Sequence, residues 1–203
     1  MAQDTPILFI VSGPSGSGKG TFLSHIAQQF PDLKRVQTFT TRQPRPNESP
    51  DDYNFVTIQE FERLTHDGEI FEFTKTYDDF FYGSPMRLVR TSEPEDLLVE
   101  LEVKGMLRLK ALSQRRVVSI FILPPTMAAL ATRIKARHQE DNFEARLAKA
   151  KDQVSYAYAY DYVLVNDDVE KFKQQAESII RGERLKRSLF LDIKERMEFL
   201  LTT

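Results

Sequence analysis

Apolar residues along this 203-residue chain come in two textures that alternate, unbroken runs and stretches of helical period. Ile7-Leu8-Phe9-Ile10-Val11 is an unbroken run, the pattern of a parallel strand buried on both faces. Leu97-Leu98-Val99-Glu100-Leu101, the run 117–123 and Tyr162-Val163-Leu164-Val165 repeat it, and the run 117–123 stops at Pro124-Pro125, which lack ladder donors. Helical spacing predicts helices over 22–30, 127–137, 143–158 and 169 to about 185. Asn166-Asp167-Asp168 can turn the chain and cap the last of them. Strands alternating with helices predict an α/β fold, an open and mainly parallel sheet flanked by helices, whose ligands collect beyond the strand C-terminal ends.

From about 35 to 95 the texture changes. Thr38-Phe39-Thr40-Thr41, Asn54-Phe55-Val56 and Ile70-Phe71-Glu72-Phe73 are short, aromatic-rich strand candidates. Thr57-Ile58-Gln59-Glu60 is a capping box that opens a short helix, and 43–52 is rich in turn formers. The expectation is a lobe of residues 35–96 inserted into a core made of 1–34 and 97–187. Residues 188–203 follow as a helical extension. There Leu189, Phe190, Ile193, Met197, Phe199 and Leu200 are spaced for an amphipathic helix packed on the body or on a second subunit.

Charge narrows the functional classes. Charged residues make up 29% of the chain but the net charge is only -2, so attraction to nucleic acid does not organise it. Zero cysteines exclude disulfides and thiolate metal sites. No apolar run approaches a membrane span, and Asp4 precedes the first strand where a signal peptide would be basic and then apolar. A cytoplasmic protein without nucleic-acid or membrane partners, monomer or homodimer, is the expectation. His25, His66 and His138 are not spaced as a zinc site or triad, and the row Tyr156, Tyr158, Tyr160, Tyr162 reads as packing and strand entry.

The chemistry enters at Gly13-Pro14-Ser15-Gly16-Ser17-Gly18-Lys19-Gly20-Thr21, directly after the first strand. A polyphosphate needs several backbone N–H groups pointing inward, and a loop closes that tightly only where side chains are absent. Gly13, Gly16 and Gly18 supply that room, Lys19 a mobile positive charge, and the following helix its unpaired N–H groups. The position after Lys19, normally a Ser or Thr on magnesium, is Gly20; either Thr21 supplies the hydroxyl or the metal rests mostly on water and nucleotide. The bland alternative is a small-residue turn between strand and helix.

A second anion site is suggested by Thr40-Thr41-Arg42-Gln43-Pro44-Arg45, since guanidinium groups grip phosphate bidentately. A solvated charged turn is the alternative, weakened by Asp52-Tyr53-Asn54-Phe55 and Phe81-Tyr82-Gly83-Ser84 in the same lobe. Arg133 and Arg137 share a helix face and Arg146 opens a second helix after 138–142, placing three more cations for transferred phosphate or, alternatively, on a solvated surface.

In this order and spacing, the phosphate loop, Thr40-Thr41-Arg42 through Arg45-Pro46, Asp52-Tyr53-Asn54-Phe55, residues 69–73, Phe81-Tyr82-Gly83-Ser84, residues 119–125 and Val165-Asn166-Asp167-Asp168 resemble a guanylate kinase over roughly 7–187. The resemblance implies the P-loop nucleoside monophosphate kinase fold, with a lid near 126–146, and phosphoryl transfer from MgATP to GMP and to dGMP as well. It implies that Gly13 to Thr21 and Asn166 bind ATP, and that Lys19, Arg42, Arg133, Arg137 and Arg146 serve catalysis. Arg42, Arg45, Tyr53, Tyr82 and Thr38 would hold the monophosphate, with Thr38 in place of the usual serine. Glu72 would accept from guanine N1–H and the exocyclic amine, with Ser84 and Glu102 completing the pocket. Glu102 stands where the family has aspartate, and a lost buried hydrogen bond costs about 1–3 kcal/mol. The lid is about two residues shorter than in the family, with His138 in place of its glycine. A kinase for another nucleotide or a phosphorylated sugar, and a noncatalytic interaction module of the same fold, are the alternatives; the intact loop disfavours the module and Glu72 with Tyr82-Gly83-Ser84 disfavours the sugar.

Overall fold

In a computed structural model, residues 5–44, 49–50, 52–75, 79–90, 94–137 and 143–202 are described. The four unbroken apolar runs become β1 (Ile7–Ser12), β7 (Leu97–Glu100), β8 (Arg116–Leu123) and β9 (Tyr162–Val165). With β2 (Lys34–Arg35) they form one parallel sheet in the order β2-β7-β1-β8-β9. Every residue of β1 is buried, and its alternation explains why. Ile7, Phe9 and Val11 enter the core beneath α1 (Lys19–Gln29) and α6 (Val169–Thr202), with Phe22, Ile26, Phe172 and Ile180. Leu8 and Ile10 enter the opposite core with Met106 and Leu109 of α3 (Val103–Leu112) and with Phe121.

The inserted segment builds its own four-stranded sheet, β4-β3-β6-β5, from β3 (Thr38–Thr40), β4 (Tyr53–Phe55), β5 (Ile70–Lys75) and β6 (Phe81–Pro85). β3 and β4 run parallel while β6 is antiparallel to both β3 and β5. Helix α2 (Ile58–His66) begins at Thr57, whose hydroxyl accepts from the Glu60 N–H, and covers that sheet with Phe61 and Leu64.

One sequence expectation is corrected, one helix goes beyond the sequence reading, and one alternative is narrowed. The helix expected over 143–158 stops early: α5 (Phe143–Ser155) gives way to a 3-10 turn over Ala157–Ala159 that feeds β9. Helix α3 was not anticipated, because Gly105 and the directly preceding strand obscure its short apolar period. Residues 188–202 do not pack on the body; they prolong α6 as one helix, with Leu189, Ile193 and Met197 more than half exposed. The tyrosine row divides: Tyr156 and Tyr158 are exposed, at 42% and 98%, Tyr162 packs partly against the core, and Tyr160 lies 4.9 Å from Phe121, where burial pushes its phenol up to about 12, so it stays neutral.

Candidate active site

The loop after β1 is closed on itself by a Ser17 N–H donating to the Pro14 carbonyl at 3.1 Å, with Gly13, Gly16 and Gly18 at φ 148°, 83° and 113°. At Gly18 the need for glycine is doubled, since an added Cβ would stand 2.0 Å from Asn166 Nδ2. That amide nitrogen donates to the Ser17 carbonyl at 2.9 Å, while the Asn166 N–H donates to Leu123 at 2.9 Å. Asn166 is therefore a buried brace between the ends of β8 and β9 and the loop, with its Oδ1 enclosed and without a hydrogen-bond partner.

Lys19 Nζ folds back over the loop, donating to the carbonyls of Gly13 at 2.7 Å and Pro14 at 3.1 Å and pairing with Glu100 at 3.6 Å. An arriving phosphate exchanges these neutral acceptors for charged ones, which form the stronger bonds. Gly20 and Thr21 lie exposed in the first turn of α1, and a Cβ on Gly20 would touch nothing within 4 Å. Arg133, on α4 (Met127–Arg137), reaches the same loop: its Nη1 donates to the Gly16 carbonyl at 3.3 Å. Arg146 is half-buried on α5, which packs on α4 through Leu130, Ile134 and Ala150. Arg137 ends α4; Arg45 and residues 138–142 lie outside the described residues.

The second site is assembled from the strands of the inserted sheet. Arg42 is 6% exposed, its Nε donating to Tyr82 Oη at 2.8 Å and its Nη1 to the Gln43 carbonyl at 3.0 Å. Its guanidinium carbon lies 5.0 Å from the Tyr53 ring and 5.4 Å from Phe55, so aromatic faces share the cost of its burial. The loop carrying it is pinned by Thr40 Oγ1 donating to the Phe81 carbonyl and the Phe81 N–H donating to Thr41 Oγ1. Thr38 is buried opposite Tyr53 in register. Glu72 and Ser84 are cross-strand partners on β5 and β6, and Ser84 Oγ donates to Glu72 Oε1 at 2.6 Å. A Cβ on Gly105 would stand 2.8 Å from that same oxygen, so the first turn of α3 closes the pocket from the core side. Glu102 caps α3 from the end of that strand connection and accepts from Lys149 of α5 at 2.6 Å.

A glycine-rich phosphate loop after the first strand of a parallel sheet, beside an arginine caged by tyrosines and a carboxylate held for a base edge, agrees with the guanylate kinase family model, which matches residues 5–183. The chain belongs to the guanylate kinase family. It is 38% identical to the guanylate kinase of Wolbachia pipientis wMel over 186 residues, 89% of this chain and 92% of that relative. Against the guanylate kinase of Thiobacillus denitrificans it is 39% identical over 183 residues, 88% of this chain and 87% of that one. The crystal structure of guanylate kinase from Anaplasma phagocytophilum matches with a TM-score of 0.69 at 30% identity, covering 89% of this chain and 87% of that chain. The fold is thus that of a P-loop kinase, a mainly parallel sheet flanked by helices.

Of the residues singled out from the sequence, Lys19, Asn166 and Arg133 lie on the glycine loop, and Arg42, Tyr53, Tyr82, Glu72 and Ser84 lie on or beside the strands of the inserted sheet. Sequence reasoning missed four residues. Glu100, the counter-ion of Lys19, is signalled by being the one charge in an apolar strand beside β1. Phe55 and Lys149 carry no signal of their own, and Gly105 is legible only once Glu72 is known to lie against it.

Proposed function

We propose that this chain transfers the terminal phosphoryl group of ATP to GMP and to dGMP, giving the nucleoside diphosphate and ADP. A phosphate oxygen of GMP attacks the γ-phosphorus in line, the bond from that phosphorus to the β–γ bridging oxygen breaks, and the electron pair leaves with ADP. No general base is required, because the acceptor phosphate is already ionised and nucleophilic. The loop 13–18, Lys19 and the N-terminus of α1 hold the donor phosphates, with Arg133, Arg137 and Arg146 supplying charge around the transferred group. Arg42, Arg45, Tyr53, Tyr82 and Thr38 hold the acceptor phosphate. Closure of the 126–146 segment excludes water, the competing acceptor.

Magnesium fits the residues present, since Glu100 offers a hard carboxylate oxygen beside Lys19 at the loop mouth. When bound, Mg2+ neutralises charge developing on the β- and γ-phosphate oxygens. Gly20 gives it no hydroxyl, so Glu100, with Thr21 as the nearest hydroxyl in sequence, is the protein's share of its ligands.

The observation that carries the base assignment is the Glu72 carboxylate, fixed by Ser84 at 2.6 Å against Gly105 and open to accept two hydrogen bonds. Guanine presents N1–H and an exocyclic amine on one edge, and adenine lacks that pair of donors. Glu102, at the N-cap of the helix that carries Gly105, is the residue we propose for the amine, in exchange for its pairing with Lys149. A cytoplasmic location is part of the same proposal. The test is a coupled assay of ADP formation with GMP, dGMP, AMP, UMP and phosphorylated ribose as acceptors. Turnover with GMP and dGMP alone is expected; turnover of AMP alone ends the guanine assignment, turnover of the sugar favours a sugar kinase, and turnover of none favours the binding module.

A further inference from the structure

Helix α6 carries a stripe spaced alternately by four and three residues, 172, 176, 179, 183, 186, 190, 193, 197 and 200, in which Glu183 and Lys186 divide two apolar halves. Its first half is used. Phe172, Ala176, Ile179 and Glu183 are at most 9% exposed against the core. Its second half continues the same face past the body: Phe190, Ile193, Met197 and Leu200 are 37%, 57%, 56% and 72% exposed, with Leu189 and Leu201 beside them. The overhang is aimed firmly. Asp96 accepts from Arg184 Nε at 2.9 Å and from Arg187 Nη1 at 2.5 Å, and Glu183 takes the Tyr162 hydroxyl at 2.6 Å and pairs with Arg116. Residues 188–202 then project about 22 Å at 1.5 Å per residue. They lie beyond the span 5–183 matched by the family model.

We propose that this stripe is the contact with a second copy of the chain, through an antiparallel pairing of the two overhanging helices. The stripe lies on the body's own side of α6, so a parallel pair would drive each body into the other, whereas a reversed copy fills the space under each overhang. The pairing is isologous, with Phe190 opposite the partner's Leu200 and Ile193 opposite the partner's Met197. The flanks suit a reversed copy as well. Asp192 and Arg196 share one flank and Lys194 and Glu198 the other, so each base has an acid of the partner beside it rather than an unbroken row of its own sign. A contiguous exposed apolar stripe of this extent is what a partner surface looks like before it is covered.

The wild-type chain is expected to sediment at twice its 23.5 kDa mass at micromolar concentration. Ile193→Asp with Met197→Asp is expected to sediment as a monomer whose melting temperature no longer depends on protein concentration, while GMP turnover stays unchanged, since the stripe touches neither phosphate site. Cysteine chemistry reads the direction, because the chain contains no cysteine. Phe190→Cys mixed with Leu200→Cys is expected to form a disulfide-linked dimer on mild oxidation, and neither variant alone. A monomeric wild type, a dimer that survives the double substitution, or efficient cross-linking of each cysteine variant to itself overturns the proposal. A wild type that is monomeric but co-sediments with phosphatidylglycerol vesicles also overturns it, in favour of a lipid surface.

Discussion

The donor loop and the acceptor pocket are made by different means. Residues 13–21, the proposed donor site, form a contiguous cradle of backbone groups with glycines at positive φ and one lysine folded over them. The acceptor pocket is made of side chains, with Arg42 leaving β3, Tyr53 on β4, Glu72 on β5 and Tyr82 and Ser84 on β6, closed by Gly105 from another sheet's helix. A backbone site is therefore fragile to anything that alters the local path of the chain. A side-chain site tolerates such changes but is tuned by small displacements of single groups.

Lys19→Ala breaks the donor side most deeply. Its ammonium is the mobile charge of the loop, and removing a preorganised charge at a phosphoryl-transfer site costs about a hundred- to a thousand-fold in turnover. Single-turnover assays should show the loss with GMP affinity retained; unchanged turnover defeats the role given to Lys19. Gly18→Ala should come close behind, because the new Cβ meets Asn166 Nδ2 at 2.0 Å in a conformation, φ 113°, that alanine avoids. The expected result is weakened ATP binding by titration calorimetry with GMP binding kept, and the reverse pattern would mean that the loop is not the donor site.

Glu72→Gln probes the acceptor side. The amide keeps the volume but presents a donor to guanine's donors, so the KM for GMP should rise by about ten- to a hundred-fold while the KM for ATP holds, in line with about 1–3 kcal/mol for a buried polar mismatch. Equal losses for both substrates would mean general damage to the inserted lobe.

The same contrast governs how much could be read before the structure. The four sheet strands were legible because each is an unbroken apolar run, and the donor loop because its chemistry is contiguous and bounded by strand and helix. Arg42 with the tyrosine segments suggested an anion site, but the part of Glu72 and the assembly of the pocket came through resemblance, since nothing local says that β3 and β6 pair or that Glu72 faces Ser84. Glu100 and Gly105 were missed for the same reason, as their meaning depends on a partner from a distant strand. Helix α3 was hidden by a glycine whose place in a helix makes sense only as room for the Glu72 carboxylate.

That glycine gives the smallest and most discriminating effect. Gly105 sits in the interior of α3, where alanine is intrinsically better by about 1 kcal/mol. The atom that a new Cβ would meet, at 2.8 Å, is the far end of a flexible side chain, Glu72 Oε1, so the helix keeps its place and the carboxylate moves. Gly105→Ala should therefore leave the melting temperature unchanged or raise it, while the KM for GMP rises severalfold and the KM for ATP is constant. Opposite signs on stability and substrate affinity from one methyl group are what a side-chain pocket permits and a backbone cradle forbids, as Gly18→Ala would lose both stability and ATP affinity. A Gly105→Ala enzyme that melts lower and binds both nucleotides less well would place the glycine in the service of the fold rather than of the base pocket.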